Sequence, residues 1–162
     1  QSQQLIRAMP NTPALIGLGM TGLVALSSVT EAQKQWVAEI VATLGQSIWV
    51  EQENLIDAVT AVSGSGPAYV FLFAQSMIEA GEKLGLSADQ AKQLTLATLQ
   101  GATELALRST ANLQELRQQV TSKGGTTYAA ITTMQAEKMP EAIHKGVDAA
   151  YLRAQELGQE LA

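Results

Sequence analysis

From Ala68 to Ala74 the chain reads Ala-Tyr-Val-Phe-Leu-Phe-Ala, apolar at every position, within a helix-favouring stretch that runs to Leu84. A helix that is apolar all round needs cover on every side. A chain of 162 residues has one modest core to offer, so a second subunit is the natural cover. Only Gln75, Glu79 and Glu82 mark a wet stripe. Composition agrees: 46% of residues are hydrophobic and only 15% charged, as in a chain that hides surface against a partner. A net charge of −5 argues against sequence-independent nucleic-acid binding, which needs a basic footprint. The chain has no cysteine, which excludes disulfides, thiolate metal sites and a cysteine nucleophile. The uncharged run Ala14 to Val29 is short for a membrane helix and carries Gly17, Gly19 and Gly22, so no span is expected there. The start Gln1-Ser2-Gln3-Gln4 lacks the basic region of a signal peptide, and a cytoplasmic location is expected.

The first fifty residues read strand, loop, strand, helix, strand. Leu5 to Met9 is a strand candidate ending at Pro10, and Pro10-Asn11-Thr12-Pro13 is a rigid loop, because each proline fixes its own φ and restricts its predecessor. Gly17-Leu18-Gly19-Met20-Thr21-Gly22 matches Gly-x-Gly-x-x-Gly, but a dinucleotide fingerprint opens a helix, and here the strand-like Leu23 to Leu26 comes next. Thr30-x-x-Gln33 reads as a capping box for a helix over 31–44, which Gly45 is expected to close. Ser47 to Glu51 is the next strand. The three strands and their helix read as the end of an α/β sheet, with an exposed edge. Trp36 and Trp49 are expected in the core between helix and sheet.

From Glu53 onward the chain reads as helix. Residues 54–62 are amphipathic. Ser63-Gly64-Ser65-Gly66-Pro67 then breaks the helix and starts another, with Ser65 as N-cap and Pro67 in the first turn. This junction is read equally as helix punctuation or as a glycine-rich backbone patch near a substrate. Ser87 to Gln90 restarts a helix running to Arg108, on which Ala97, Gly101 and Ala102 leave room for a close neighbour. Asn112 to Glu115 is a third cap. Pro140 falls in the first turn of a last helix, along which Ile143, Val147, Ala150, Ala154, Leu157 and Leu161 repeat at heptad-like intervals. That seam suits core packing with some contact between subunits. The lone His144 has no Cys, Asp or Glu cluster around it and reads as a surface residue, so no metal site is expected. Arg7 is expected in a salt bridge within the sheet rather than on a substrate carboxylate, and Tyr128 in packing.

One corner carries chemistry. Val120-Thr121-Ser122-Lys123-Gly124-Gly125-Thr126-Thr127 runs from one helix into the next. Two glycines let the backbone turn sharply, and the first amides of the second helix have no intrahelical partner. Those donors, with the positive end of the helix dipole, suit a small anion. The alternative is a plain helix-loop-helix corner with a threonine N-cap.

The wording of this corner resembles the signature of pyrroline-5-carboxylate reductases. Arg7-Ala8-Met9-Pro10-Asn11-Thr12-Pro13 is similar to that family's Met-Pro-Asn-Thr-Pro loop, and Ser63-Gly64-Ser65-Gly66-Pro67-Ala68-Tyr69 to its Ser-Gly-Ser-Gly-Pro-Ala-Tyr junction. The likeness covers nearly all of this chain but not all of the family. Such enzymes begin with a dinucleotide-binding domain, most of which is missing here. The resemblance therefore implies a mixed fold. Residues 1–52 would be the C-terminal tail of the α/β cofactor domain, a Rossmann remnant. Residues 53–162 would be an all-α substrate and dimerisation domain of the 6-phosphogluconate dehydrogenase C-terminal type.

The implied activity is an oxidoreductase of proline biosynthesis. Hydride passes from NADPH (or NADH) to the C=N carbon of 1-pyrroline-5-carboxylate, giving L-proline, in a homodimer or higher homo-oligomer without nucleic acid or membrane. The resemblance assigns the substrate to Ser122, Gly124, Gly125, Thr126 and Thr127, with Thr127 as the catalytic residue, and the nicotinamide to Asn11 and Thr12. A protonated imine enters from solution, so no strong acid is required. The main cofactor fingerprint lies outside this chain, and the fragment alone is expected to be inactive. Lys123 departs from the pattern, standing where many relatives carry proline. Two other readings are a noncatalytic helical oligomerisation module and the helical domain of another hydroxyacid-type dehydrogenase. For the latter, Lys83, Lys92 and Lys123 are catalytic candidates by residue type only.

Overall fold

The computed structural model describes residues 3–160. The chain runs β1 (Ile6–Met9), a 3-10 turn (Thr12–Ile16), β2 (Gly19–Ala25), α1 (Glu31–Ala42), β3 (Gly45–Trp49) and α2 (Leu55–Val59). A π-helical turn (Thr60–Gly64) leads into α3 (Gly66–Lys83), and then come α4 (Ala88–Arg108), α5 (Leu113–Gln119), α6 (Thr126–Ala136) and α7 (Met139–Glu160). It divides into two compact units. One holds the chain up to Tyr69 together with the segment from His144 onward, and the other is Val70–Ile143.

In the first unit three strands form one sheet in the order β1-β2-β3. β1 pairs antiparallel with β2, placing Arg7 opposite Val24, and β3 pairs parallel with β2, placing Ser47 opposite Thr21. A parallel neighbour needs a crossover, which α1 supplies. Its capping box closes as the sequence predicts: the Gln33 amide donates to the Thr30 hydroxyl at 3.3 Å, and the Thr30 amide to the Gln33 side chain at 2.9 Å. β2 is the central strand, with Leu23 and Val24 buried.

The glycines of β2 explain the misleading Gly-x-Gly-x-x-Gly pattern. A Cβ on Gly22 would lie 2.6 Å from Val59 Cγ1, and one on Gly19 would lie 2.8 Å from Ala14 and from the Leu44 carbonyl. Both positions are filled by the protein itself, so neither lines a phosphate cradle. Gly45 does not end α1, which stops at Ala42 with Thr43 as its cap. It opens β3 instead, at φ +137°, where a Cβ would meet the Gly19 backbone at 2.1 Å. Trp36 is not a core residue: it is 65% exposed on α1. Trp49 is half-buried, with the Lys34 ammonium 5.9 Å from its ring centroid. Arg7 pairs with Glu53 just ahead of α2, an exposed ion pair rather than a bridge within the sheet.

In the second unit the helix starts are again legible. The Gln90 and Ser87 groups close the box that begins α4, at 3.3 and 2.9 Å. Asn112 and Glu115 do the same for α5, both at 2.9 Å. α3 and α4 approach closely where Gly81 faces Ala91, a missing Cβ lying 3.2 Å from the Ala91 methyl. Little else is enclosed. Ala74, Ala91 and Thr95 are the buried residues of α3 and α4. Phe71 and Leu72 are 67% and 66% exposed, as the all-round apolar pattern of α3 requires. The small residues Ala97, Gly101 and Ala102 are likewise exposed on α4. The helical run Leu55–Lys83 is long and apolar enough, by length and composition alone, to cross a membrane.

On α7, Ile143 and Leu157 are exposed while Val147, Ala150 and Ala154 are half-covered, so the seam is not a closed core face. Leu161, its last expected member, lies outside the described residues, as do Gln1 and Ser2. His144 is exposed. Arg153 is bonded to Glu156 and Glu160 at 2.7 and 2.9 Å, and these two bonds raise its pKa.

Two substitutions in β2 test this packing. The Thr21 hydroxyl is buried without a hydrogen-bond partner. Thr21→Val removes an orphan polar group at nearly constant shape and should stabilise the chain by about 1 kcal/mol. Gly22→Ala should destabilise it by about 1–3 kcal/mol through the clash with Val59. Urea unfolding midpoints measure both.

Candidate functional site

The Ser122–Thr127 corner belongs to the second unit. The Gly125 amide donates to the Ser122 carbonyl at 3.0 Å, closing a four-residue turn. Gly124 sits at the third position with φ +76°, and Lys123, whose φ is not positive, sits at the second. That is the pattern of a type II turn, in which the third residue needs the left-handed region that glycine enters freely. Gly125 then takes the N-cap position of α6 in extended conformation, with no side chain capping the helix. A Cβ on Gly125 would lie 2.6 Å from the Ser122 hydroxyl, so that hydroxyl stands directly at the corner.

The first intrahelical bond of α6 comes from Ala129 to the Gly125 carbonyl, at 3.1 Å. The amides of Thr126, Thr127 and Tyr128 precede it and are the bare donors that a helix start leaves open. The Gly125 amide is not one of them. Thr127 is half-buried, and Ser122, Lys123, Gly124 and Thr126 are exposed. Tyr128 is 47% exposed rather than packed away. Three bare amides, a threonine hydroxyl and the positive end of an eleven-residue helix suit a carboxylate. Among the described residues no cluster of His, Cys, Asp or Glu could hold a metal ion. Lys83, Lys92 and Lys123 are all exposed, on α3, on α4 and in this turn.

The Pro10–Pro13 loop belongs to the first unit. Asn11 is extended, at φ −122° and ψ 167°, and its side chain is held at both ends. Its Oδ1 accepts from the Met20 amide at 2.9 Å, and its Nδ2 donates to the Ser63 hydroxyl at 3.2 Å. The Met20 amide fixes which end of the Asn11 side chain is the oxygen. One Nδ2 hydrogen and one oxygen lone pair remain for a ligand. Thr12 beside it is exposed. These groups fit the amide of a nicotinamide. A pyrophosphate cradle is not formed, because the glycines of β2 are filled by Val59, Ala14 and Leu44.

The bond to Ser63 joins two motifs that stand far apart in the sequence. At the Ser63–Pro67 junction one helix ends and α3 starts at Gly66 with Pro67 in its first turn, as the sequence predicts, and Ser65 alone lies between them. The end of the first helix widens into a π-turn, in which the Ser65 amide donates to the Thr60 carbonyl at 2.8 Å. Ser65 keeps right-handed helical angles, φ −85° and ψ −20°, rather than the extended ones of an N-cap. The Ala61 carbonyl is taken by the Tyr69 hydroxyl at 3.1 Å. Gly64 leaves room for the end of Met9, whose Cε would lie 2.7 Å from a Cβ there. An asparagine between two prolines and a glycine within a helix were the visible signals. Their meeting depends on the sheet, which spacing alone does not encode.

Fold and site define a class: the tail of an α/β sheet joined to an all-α dimerisation domain that presents an uncapped internal helix start. The chain belongs to the pyrroline-5-carboxylate reductase dimerisation family, whose model matches residues 53–157. A pyrroline-5-carboxylate reductase of Pseudomonas aeruginosa is 47% identical over 161 residues, 99% of this chain and 59% of the relative. One from Synechocystis is 42% identical over 156 residues, 96% of this chain and 58% of the relative. Solved structures agree. The Coxiella burnetii reductase superposes with a TM-score of 0.93 at 42% identity, covering 96% of this chain and 57% of that one. The Plasmodium falciparum enzyme, solved with NADP bound, gives 0.91 at 32% identity, covering 98% and 60%. The chain thus spans somewhat over half the length of the relatives it matches.

The turn geometry makes a prediction. The Lys123 amide has no backbone acceptor in the turn, and proline suits the second position of type II. Lys123→Pro should stabilise the chain by about 0.4–1 kcal/mol through reduced unfolded-state freedom. Thermal unfolding checks this.

Proposed function

We propose that this chain forms the substrate-gripping and subunit-joining part of a pyrroline-5-carboxylate reductase, which reduces the C=N bond of 1-pyrroline-5-carboxylate to give L-proline, the last step of proline biosynthesis in the cytoplasm. The observation that carries this reading is the uncapped start of α6 behind the Gly124-Gly125 turn. Its amides at Thr126 and Thr127, with the Thr127 hydroxyl, hold the ring carboxylate, and the Ser122 hydroxyl borders the same corner. Gly124 supplies the left-handed turn and Gly125 the open approach. Asn11 and Thr12 receive the nicotinamide end of the cofactor, for which the NADP-bound Plasmodium neighbour favours the phosphorylated form. The bound nicotinamide supplies the hydride. The protein's part is to hold the imine carbon in line and keep the carboxylate fixed. The ring enters already protonated, which accords with a corner that has no acidic side chain or histidine among Val120–Thr127.

The division of labour runs along the sequence: residues up to 52 complete the cofactor domain, and those from 53 form the helical domain. Exposed apolar side chains on α3 and α4 meet their counterparts in a second copy, giving a homodimer or a larger homo-oligomer. A groove of about 600 Å³ along the start of α4, lined by Leu86, Gln90, Gln93, Leu94, Ala97 and Thr98, suits a helix of that copy. The same need for cover accounts for the apolar run Leu55–Lys83 without a membrane.

Thr127→Ala in a full-length reductase containing this chain should lower kcat/KM about tenfold or more, because a hydrogen bond to a charged group is worth about 1.5–3 kcal/mol. Thr127→Ser should retain most of it. Steady-state kinetics decide, and unchanged turnover in Thr127→Ala would leave only a noncatalytic oligomerisation module. The chain by itself should scatter light as a dimer and show no micromolar NADPH affinity by calorimetry.

A further inference from the structure

Ser63 has no part in the chemistry proposed above, yet the fold brings it to the loop that does. It lies on the π-turn between α2 and α3, half-buried, with its hydroxyl accepting from Asn11 Nδ2 at 3.2 Å across a separation of 52 residues. A π-turn inserts one residue into a helix and rotates the turns beyond it, and such turns recur at functional sites. Here the widening is fully accounted for. The Ser65 amide reaches back five residues to Thr60, the Tyr69 hydroxyl takes the Ala61 carbonyl, and the Thr60 hydroxyl returns to the Ile56 carbonyl at 2.8 Å. Each of these groups in the turn is therefore held, and Ser63 is presented to the sheet end of the loop rather than to solvent.

On the far side the Asn11 side chain has, among the described residues, one other bond, from the Met20 amide at 2.9 Å, while its carbonyl accepts from the Ala14 amide at 3.1 Å. The loop itself is stiff at Pro10 and Pro13 but has no further side-chain tie at Asn11. Two bonds at opposite ends of one planar amide fix its rotation. Either alone leaves it free to turn about the other.

We infer that Ser63 is a positioning residue: through the Asn11 amide it locks the Pro10–Pro13 loop in the orientation that receives the nicotinamide. This rests on the reductase reading, and it assigns the Ser-Gly-Ser-Gly junction to the cofactor side of the reaction rather than to substrate binding. Loss of the Ser63 hydroxyl leaves the substrate corner untouched and loosens the cofactor end alone.

The test uses Ser63→Ala, Asn11→Ala and the double variant in a full-length reductase containing this chain. Ser63→Ala should weaken NADPH binding about three- to tenfold, the worth of one neutral hydrogen bond. The KM for 1-pyrroline-5-carboxylate should be unchanged. In the Asn11→Ala background Ser63→Ala should add nothing further. A second readout needs no cofactor: in this chain, Ser63→Ala should speed hydrogen exchange at the Met20 amide while leaving amides of α1 unchanged. Unaltered NADPH affinity, additive losses in the double variant, or unaltered Met20 exchange would each overturn the assignment. A parent enzyme that does not reduce 1-pyrroline-5-carboxylate would instead sink the reductase reading on which it rests.

Discussion

The helices from α3 onward cannot satisfy their own apolar surface. Within Val70–Ile143 the enclosed residues are small ones, Ala74, Ala91 and Thr95, while Phe71, Leu72, Leu94 and Leu105 face outward. Burying one large apolar side chain is worth about 1.5–3 kcal/mol. A handful of such side chains, left wet, amounts to the whole net stability of a domain of this size. Taken by itself, this unit is a core left open on its outer side. Its helices α4 and α5 start at closed capping boxes at Ser87 and Asn112, so local signals fix them without help from a closed core; Thr30 does the same for α1 in the other unit.

The sheet solves a different problem with glycine. β2 is pressed from both faces, and at Gly19 and Gly22 the neighbouring element comes so near that a methyl group has no place. Gly45 brings β3 against Gly19 backbone to backbone. Close packing at this end lets the Pro10–Pro13 loop rest on Met20 and on the π-turn with defined geometry, which a looser sheet end would not give. Stiffness in the sheet and precision in the loop have one source.

Most of the architecture is legible in the sequence, because caps, prolines and apolar runs act locally. The order of strands and helices, the three capping boxes, the bounds of α4 and the place of Pro140 in the first turn of α7 all arise from such signals. The departures share a cause. Trp36 reads as core because tryptophan usually is, yet which face of α1 is covered depends on what lies beyond the sheet. Gly45 reads as a helix end because glycine often ends helices, yet its positive φ serves a strand. Ser65 reads as an N-cap because serine often caps helices, yet it keeps helical angles behind a π-turn that Tyr69 and Asn11 hold by tertiary bonds. Of the proposed site, the Gly124–Thr127 corner is a local feature and is visible in the sequence. The link between the loop and the junction is a contact across 52 residues and is not.

Lys123 shows how a residue with no special backbone preference can sit in a turn that its neighbours fix. Proline at that position would restrict the backbone by its ring alone. Lysine does not, but the turn is still fixed at both ends, by the Ser122–Gly125 hydrogen bond and by the left-handed Gly124. The conformation is held by bonds that do not involve the Lys123 side chain or its amide. What changes is charge: an ammonium now stands next to a helix start already positive from its dipole. That ammonium is exposed and so screened by salt, and it raises the positive potential at the corner only modestly, without strain on the backbone. The geometry of the corner is set by glycine and backbone, and the residue between is free to tune the field around it.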